Sequence, residues 1–145
     1  MNRMEIANAS HKKGYNCCQS VLSAFGDKLG LPEETYLSLG AGFGSGAGTG
    51  ELCGAMTGAI MALDLMLPAD PGDPAGSKRR AAARAKLLQQ RFSERFDALR
   101  CRELLQNKKE TRSPAVEALG ITGHCSIMVA TAVELVEEIL EEEGA

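Results

Sequence analysis

The chain predicts an all-α fold: a four- to five-helix bundle with a glycine-rich loop ahead of a buried central helix. Three observations carry this. Apolar residues recur at helical spacing through most of the 145 residues, capping signals precede those runs, and no segment alternates with the two-residue period of a strand. The length favours a single domain over 1–145, able to bury roughly two-thirds of its unfolded surface without disulfides.

The elements follow in chain order. Asn16-Cys17-Cys18-Gln19 has the form of a capping box, and Val21, Leu22, Phe25 and Leu29 then keep helical spacing until Gly30 and Pro32. Pro32-Glu33-Glu34 opens a short helix that carries Tyr36, Leu37 and Leu39 into glycine. From Gly40 to Gly50 six glycines occupy every second position. Glu51 to Leu67 is apolar nearly all round, as a buried central helix should be, and Ala55, Gly58, Ala59 and Ala62 give it a small-residue face. Pro68 to Pro74 reads as a loop. An amphipathic helix is expected from about Ser77, with Ala81, Ala85, Leu88, Phe92, Phe96 and Leu99 inside and Arg80, Arg84, Arg91 and Arg95 on a solvated outer stripe. Asp97 could cap a new helix, or the long one could run through Cys101 to Leu105. Residues 106–121 read mostly as loop. Thr122 or Gly123 caps a last helix with Val129, Ala132, Val136 and Ile139 inside and a solvated acidic end at Glu141 to Glu143.

Composition narrows the function classes. Aromatics are 4% with no Trp, which argues against a base-stacking nucleic-acid surface. The net charge of −3 divides unevenly, because residues 77–112 hold 12 basic and 4 acidic side chains. Without interleaved aromatics that bias is a helix face, with docking of an acidic partner as the minority reading. The apolar stretch from Leu52 to Leu67 contains Asp64 and falls short of the roughly 20 residues a membrane span needs, so no membrane insertion is expected. The first residues lack the apolar core of a secretory signal, and a cytoplasmic location is expected. There thiols stay reduced, so five cysteines point to ligation or redox chemistry before structural disulfides.

Cys17, Cys18, Cys53, Cys101 and Cys125 contain no C-x-x-C pair, so any shared site must be assembled by packing. Cys17, Cys53 and Cys125 fall at expected helix starts, as does Cys101 if the chain breaks near Asp97. Free N–H groups and the positive dipole end there favour thiolate, the form that binds metals and attacks disulfides. On an ideal helix Cys18 lies within the arc of Val21, Leu22, Phe25 and Leu29, whereas Cys17 sits at its edge. Cys18 therefore reads as core and Cys17 as the site thiol.

Asn16-Cys17 with Gln19-Ser20-Val21-Leu22, the glycine-rich stretch and Cys53-Gly54-Ala55-Met56-Thr57-Gly58, joined by Cys101-Arg102-Glu103-Leu104-Leu105 and Cys125, resembles the C_GCAxxG_C_C family. The likeness spans nearly the whole chain. It implies redox activity or metal ligation through the matching cysteines, Cys17, Cys53, Cys101 and Cys125, without fixing a reaction. Asp97-Ala98-Leu99-Arg100 departs from the Gly/Ser-type break expected before the third cysteine.

The leading expectation is that these four cysteines ligate an iron–sulfur cluster or similar metal centre and exchange electrons with an unidentified redox partner protein. A metal-free thiol–disulfide oxidoreductase or sensor and a structural zinc module with four cysteine ligands are the alternatives, and a homo-oligomer is compatible with each. Gly44, Gly46 and Gly48 would bring backbone N–H groups close to such a centre, or else form a flexible connector. Neither haem nor nucleotide is expected: C-x-x-C-H is missing, and glycines alternating by two never make G-x-G-x-x-G. His124 reads as solvent-facing, with assistance to Cys125 the other reading. His11 has no companion in the sequence.

Overall fold

The computed structural model describes residues 1–145. It is all-helical, with eight α-helices instead of four or five: α1 (Arg3–Lys12), α2 (Cys17–Ala24), α3 (Glu33–Gly40), α4 (Gly54–Met66), α5 (Pro74–Phe96), α6 (Cys101–Asn107), α7 (Pro114–Glu117) and α8 (His124–Glu142). No helix is long and apolar enough to cross a membrane.

Caps set the boundaries. Asn16 and Gln19 close the expected capping box on α2, each side chain accepting from the other's backbone N–H. Asn2 and Glu5 do the same for α1, a helix with little periodicity in the sequence because only Met4 and Ala7 of it are buried. Helix α5 starts at Pro74, earlier than Ser77, because the Asp73 side chain accepts from the Gly76 N–H with proline in the first turn. The chain does break at Asp97, which ends α5 in the left-handed conformation (φ 60°) instead of capping a new helix. Short polar residues tolerate that conformation better than most, so aspartate serves where a glycine or serine break was expected. Within 106–121, the end of α6 and all of α7 replace part of the expected loop.

The core gathers around α8, which buries Ile127 to Val133, Leu135, Val136, Ile139 and Leu140 against α1, α2, α4 and α5. From α5, the inner stripe contributes Leu88, Phe92 and Phe96, all fully buried. The arginine stripe is not simply solvated. Arg95 pairs with Glu134 at 2.6 Å, and Arg91 grips Glu142 with two hydrogen bonds of 2.7 and 2.8 Å. These pairs lock α5 to α8 and tie down part of the acidic end that was expected to be solvated.

Two close approaches position the cysteine-bearing helix starts. Gly54 and Gly58 lie on the face of α4 that meets α2. A Cβ at Gly58 would stand 2.7 Å from the Cys18 carbonyl oxygen, and one at Gly54 would stand 3.3 Å from the Cys18 amide nitrogen. Only glycine lets the two backbones pack so tightly. Further along, residues 51–53 run antiparallel to 99–101. Cys53 N–H donates to the Leu99 carbonyl at 2.9 Å, Cys101 N–H donates to the Glu51 carbonyl at 2.7 Å, and Leu52 faces Arg100 as an isolated bridge. The break at Asp97 frees Leu99 to Cys101 to make this pairing.

The glycine loop is ordered by a turn of unusual hand. Ser45, Gly46, Ala47 and Gly48 are consecutively left-handed, two of them not glycine. Arg102 of α6 straps the turn by donating to the carbonyls of Thr49 (2.8 Å) and Gly50 (3.3 Å) and to the Glu51 carboxylate (2.8 Å).

Candidate functional site

Four helix starts meet. Cys17 is the first residue of α2, Cys53 precedes α4, Cys101 is the first residue of α6, and Cys125 is the second of α8. The glycine contacts set Cys17 beside the start of α4, where its Cβ lies 3.5 Å from the Cβ position of Gly54. The short antiparallel pairing sets Cys53 beside Cys101. All five cysteines are free thiols. Cys18 is apart from the others, fully buried with its sulfur against Gly40 and Leu22 close by, as its helical angle predicts.

The four sulfurs are near enough to govern one another's ionisation. Cys17 and Cys125 are the most strongly linked pair, and Cys17 acts as the donor to Cys125. That hydrogen bond holds the Cys125 thiol down to about 6 against the opposing effect of burial, with the nearby His124 ring lowering it further. Cys17 moves the other way, raised by giving its proton to that bond, by burial and by the negative charge that Cys53, Cys125 or Cys101 would carry. Burial pushes Cys53 up to about 11, although the amides of Ala55 and Met56 at the start of α4 face its sulfur. Burial and the Cys125 charge raise Cys101. Like charges at short range disfavour ionisation, so the cluster accommodates one thiolate. It belongs on Cys125, which has Cys17 as a donor and the His124 ring beside it.

Two histidines attend this pair. His124 is not solvent-facing. Its Nδ1 lies 2.7 Å from the Glu110 carboxylate, its Nε2 lies 3.2 Å from the Leu104 carbonyl oxygen, and its ring stands edge-on to Phe96. Both nitrogens thus face oxygen acceptors. Burial opposes ionisation of Glu110, but hydrogen bonds from His124 and Arg112 outweigh it and lower its pKa. Arg112 completes the chain with two bonds to Glu110, of 3.0 and 2.6 Å.

His11 has a companion after all. Its Nε2 lies 3.9 Å from the Cys17 sulfur and its Nδ1 lies 3.0 Å from the Ser126 hydroxyl, joining the end of α1 to the starts of α2 and α8. Burial lowers its pKa. No local signal announces this contact, since 115 positions separate His11 from Ser126. Glu110 and Arg112 carry no signal in the sequence because they stand in a segment without periodicity.

No three His, Cys, Asp or Glu side chains stand together as a group able to hold a metal ion, so ligation by Cys17, Cys53, Cys101 and Cys125 lacks geometric support. The loop glycines serve the backbone. A Cβ at Gly44 would press on the Asn16 side chain, and one at Gly46 would collide with the Glu51 backbone. Gly48 has open space around it and a φ of +75°. Gly44 and Gly46 thereby hold the cap of α2 and the approach to Cys53 in place.

No curated protein and no solved structure matches the chain. A family model does, over residues 15–139, a span that holds all four converging cysteines. Its description reads "Putative redox-active protein (C_GCAxxG_C_C)". The chain belongs to that C_GCAxxG_C_C family.

Proposed function

We propose that this chain is a metal-free thiol–disulfide redox protein in which Cys125 attacks and Cys17 resolves. The observation that carries the reading is the placing of the Cys17 and Cys125 thiols at two neighbouring helix starts that His11 links, its Nε2 3.9 Å from the Cys17 sulfur and its Nδ1 3.0 Å from the hydroxyl of Ser126, the residue after Cys125. With Cys17 beside it as donor, the Cys125 thiol is lowered to about 6. The Cys125 thiolate attacks one sulfur of a substrate disulfide and expels the other as thiolate, leaving a mixed disulfide on Cys125. Cys17, once deprotonated, attacks the Cys125 sulfur and expels the second substrate thiolate. The substrate disulfide gains two electrons, and Cys17 and Cys125 become a disulfide. His124, held by Glu110 and the Leu104 carbonyl, supplies positive charge beside the attacking sulfur. Cys53 and Cys101 remain protonated and form the wall of the site.

Oxidised glutathione tests this. Anaerobic protein should lose two thiols per chain, release two equivalents of glutathione and yield one tryptic cross-link, Cys17 to Cys125. Five thiols still open to alkylation would contradict the reading. Stoichiometric iron with acid-labile sulfide, or stoichiometric zinc lost only with unfolding, would replace it by a ligation role for the four cysteines.

A further inference from the structure

The geometry points to His11 as the base that takes the Cys17 proton when the two sulfurs join. This inference rests on the Cys17–Cys125 pair proposed above. In the reduced pair, Cys17 keeps its proton while Cys125 carries the charge. Once Cys125 is bonded to a substrate sulfur its charge is gone, and Cys17 still carries a proton it must lose before it can attack. The imidazole already in contact with the Cys17 sulfur is that of His11, with Nε2 at 3.9 Å, a long contact of the kind that tightens during reaction. Its other nitrogen, Nδ1, lies 3.0 Å from the Ser126 hydroxyl, which can accept an N–H there and leave the Nε2 lone pair facing Cys17. Lys12 and Lys13, its charged neighbours in sequence, are exposed. Burial lowers the His11 pKa, which favours the neutral ring that a proton acceptor needs. His124 cannot substitute, because Glu110 and the Leu104 carbonyl occupy both its nitrogens.

The step balances. The Cys17 proton passes to Nε2, the new Cys17 thiolate bonds to the Cys125 sulfur, and the substrate thiolate departs with the electron pair of the mixed disulfide. The His11 proton is then free to leave with that thiolate or to solvent.

Rapid-quench kinetics with oxidised glutathione separate the two steps. In His11→Gln the mixed disulfide on Cys125 should form at the wild-type rate and then accumulate, with ring closure slowed about a hundredfold. In His11→Ala, added imidazole should restore closure. Ser126→Ala, which keeps the base but frees its ring, should slow closure less and leave the first step alone. Closure at the wild-type rate in His11→Gln would overturn the role of His11 while leaving the thiol pair intact. Equal slowing of both steps in all three variants would reduce His11 to a packing contact and overturn it as well. If wild-type protein forms the mixed disulfide but never the Cys17–Cys125 bond, the pair itself fails and this inference with it.

Discussion

At the scale of single residues, chemistry separates thiols that the sequence presents as equals. Cys125 should alkylate fastest, its rate rising to a plateau as pH passes about 6, whereas Cys17, Cys53 and Cys101 should respond only above the ordinary thiol range. Removing the Cys17 donor by Cys17→Ala, or the neighbouring charge by His124→Gln, should move the Cys125 transition to higher pH. Iodoacetamide labelling read by mass spectrometry gives both results, and an unmoved transition in both variants would deny the pairing. Much at this scale is legible in the sequence. A helical wheel assigns Cys18 to the core, and the sequence puts Cys17, Cys53 and Cys125 at helix starts, with Cys101 joining them only if the chain breaks near Asp97. Their neighbours are not legible, because His11, Ser126, Glu110 and Arg112 reach the site from segments far apart in sequence.

At the scale of elements, glycine is the determining residue, in two distinct ways. Gly54 and Gly58 allow α2 to lie against α4, which gives the Cys53-Gly54-Ala55-Met56-Thr57-Gly58 run a physical purpose. Gly58→Ala should cost about 1–3 kcal/mol in urea unfolding, because its Cβ meets backbone that cannot rotate aside. In the loop, Ala47 is exposed and left-handed at φ 57°, so Ala47→Gly should gain stability, by about 1 kcal/mol in the same assay. The alternating glycines announce an irregular backbone, yet they do not disclose a left-handed turn strapped by Arg102. Asp97 misleads in a similar way. It is a familiar starting residue for helices, and here it ends one, releasing the three residues that pair with Glu51 to Cys53. The choice is made by that tertiary pairing, which local sequence does not encode.

At the scale of the whole molecule, helical spacing foretells the fold class but undercounts its parts. Short helices such as α6 and α7 carry little periodicity, and α1 buries too little to stand out. Four of the helix starts carry thiols near enough to affect one another's ionisation, with Cys17 and Cys125 separated by 108 positions. Linking residues so distant restricts the unfolded chain, so the oxidised protein should be more stable than the reduced by about 2–4 kcal/mol in matched urea titrations. Equal midpoints would show that any bond formed is local or strained. The most direct measurement is a redox titration in glutathione buffers with the disulfide mapped at each potential. A single two-electron transition that joins Cys17 to Cys125, with Cys18, Cys53 and Cys101 alkylated throughout, is the expected result. A bond joining any other pair, or five reduced thiols across the whole range, would contradict it.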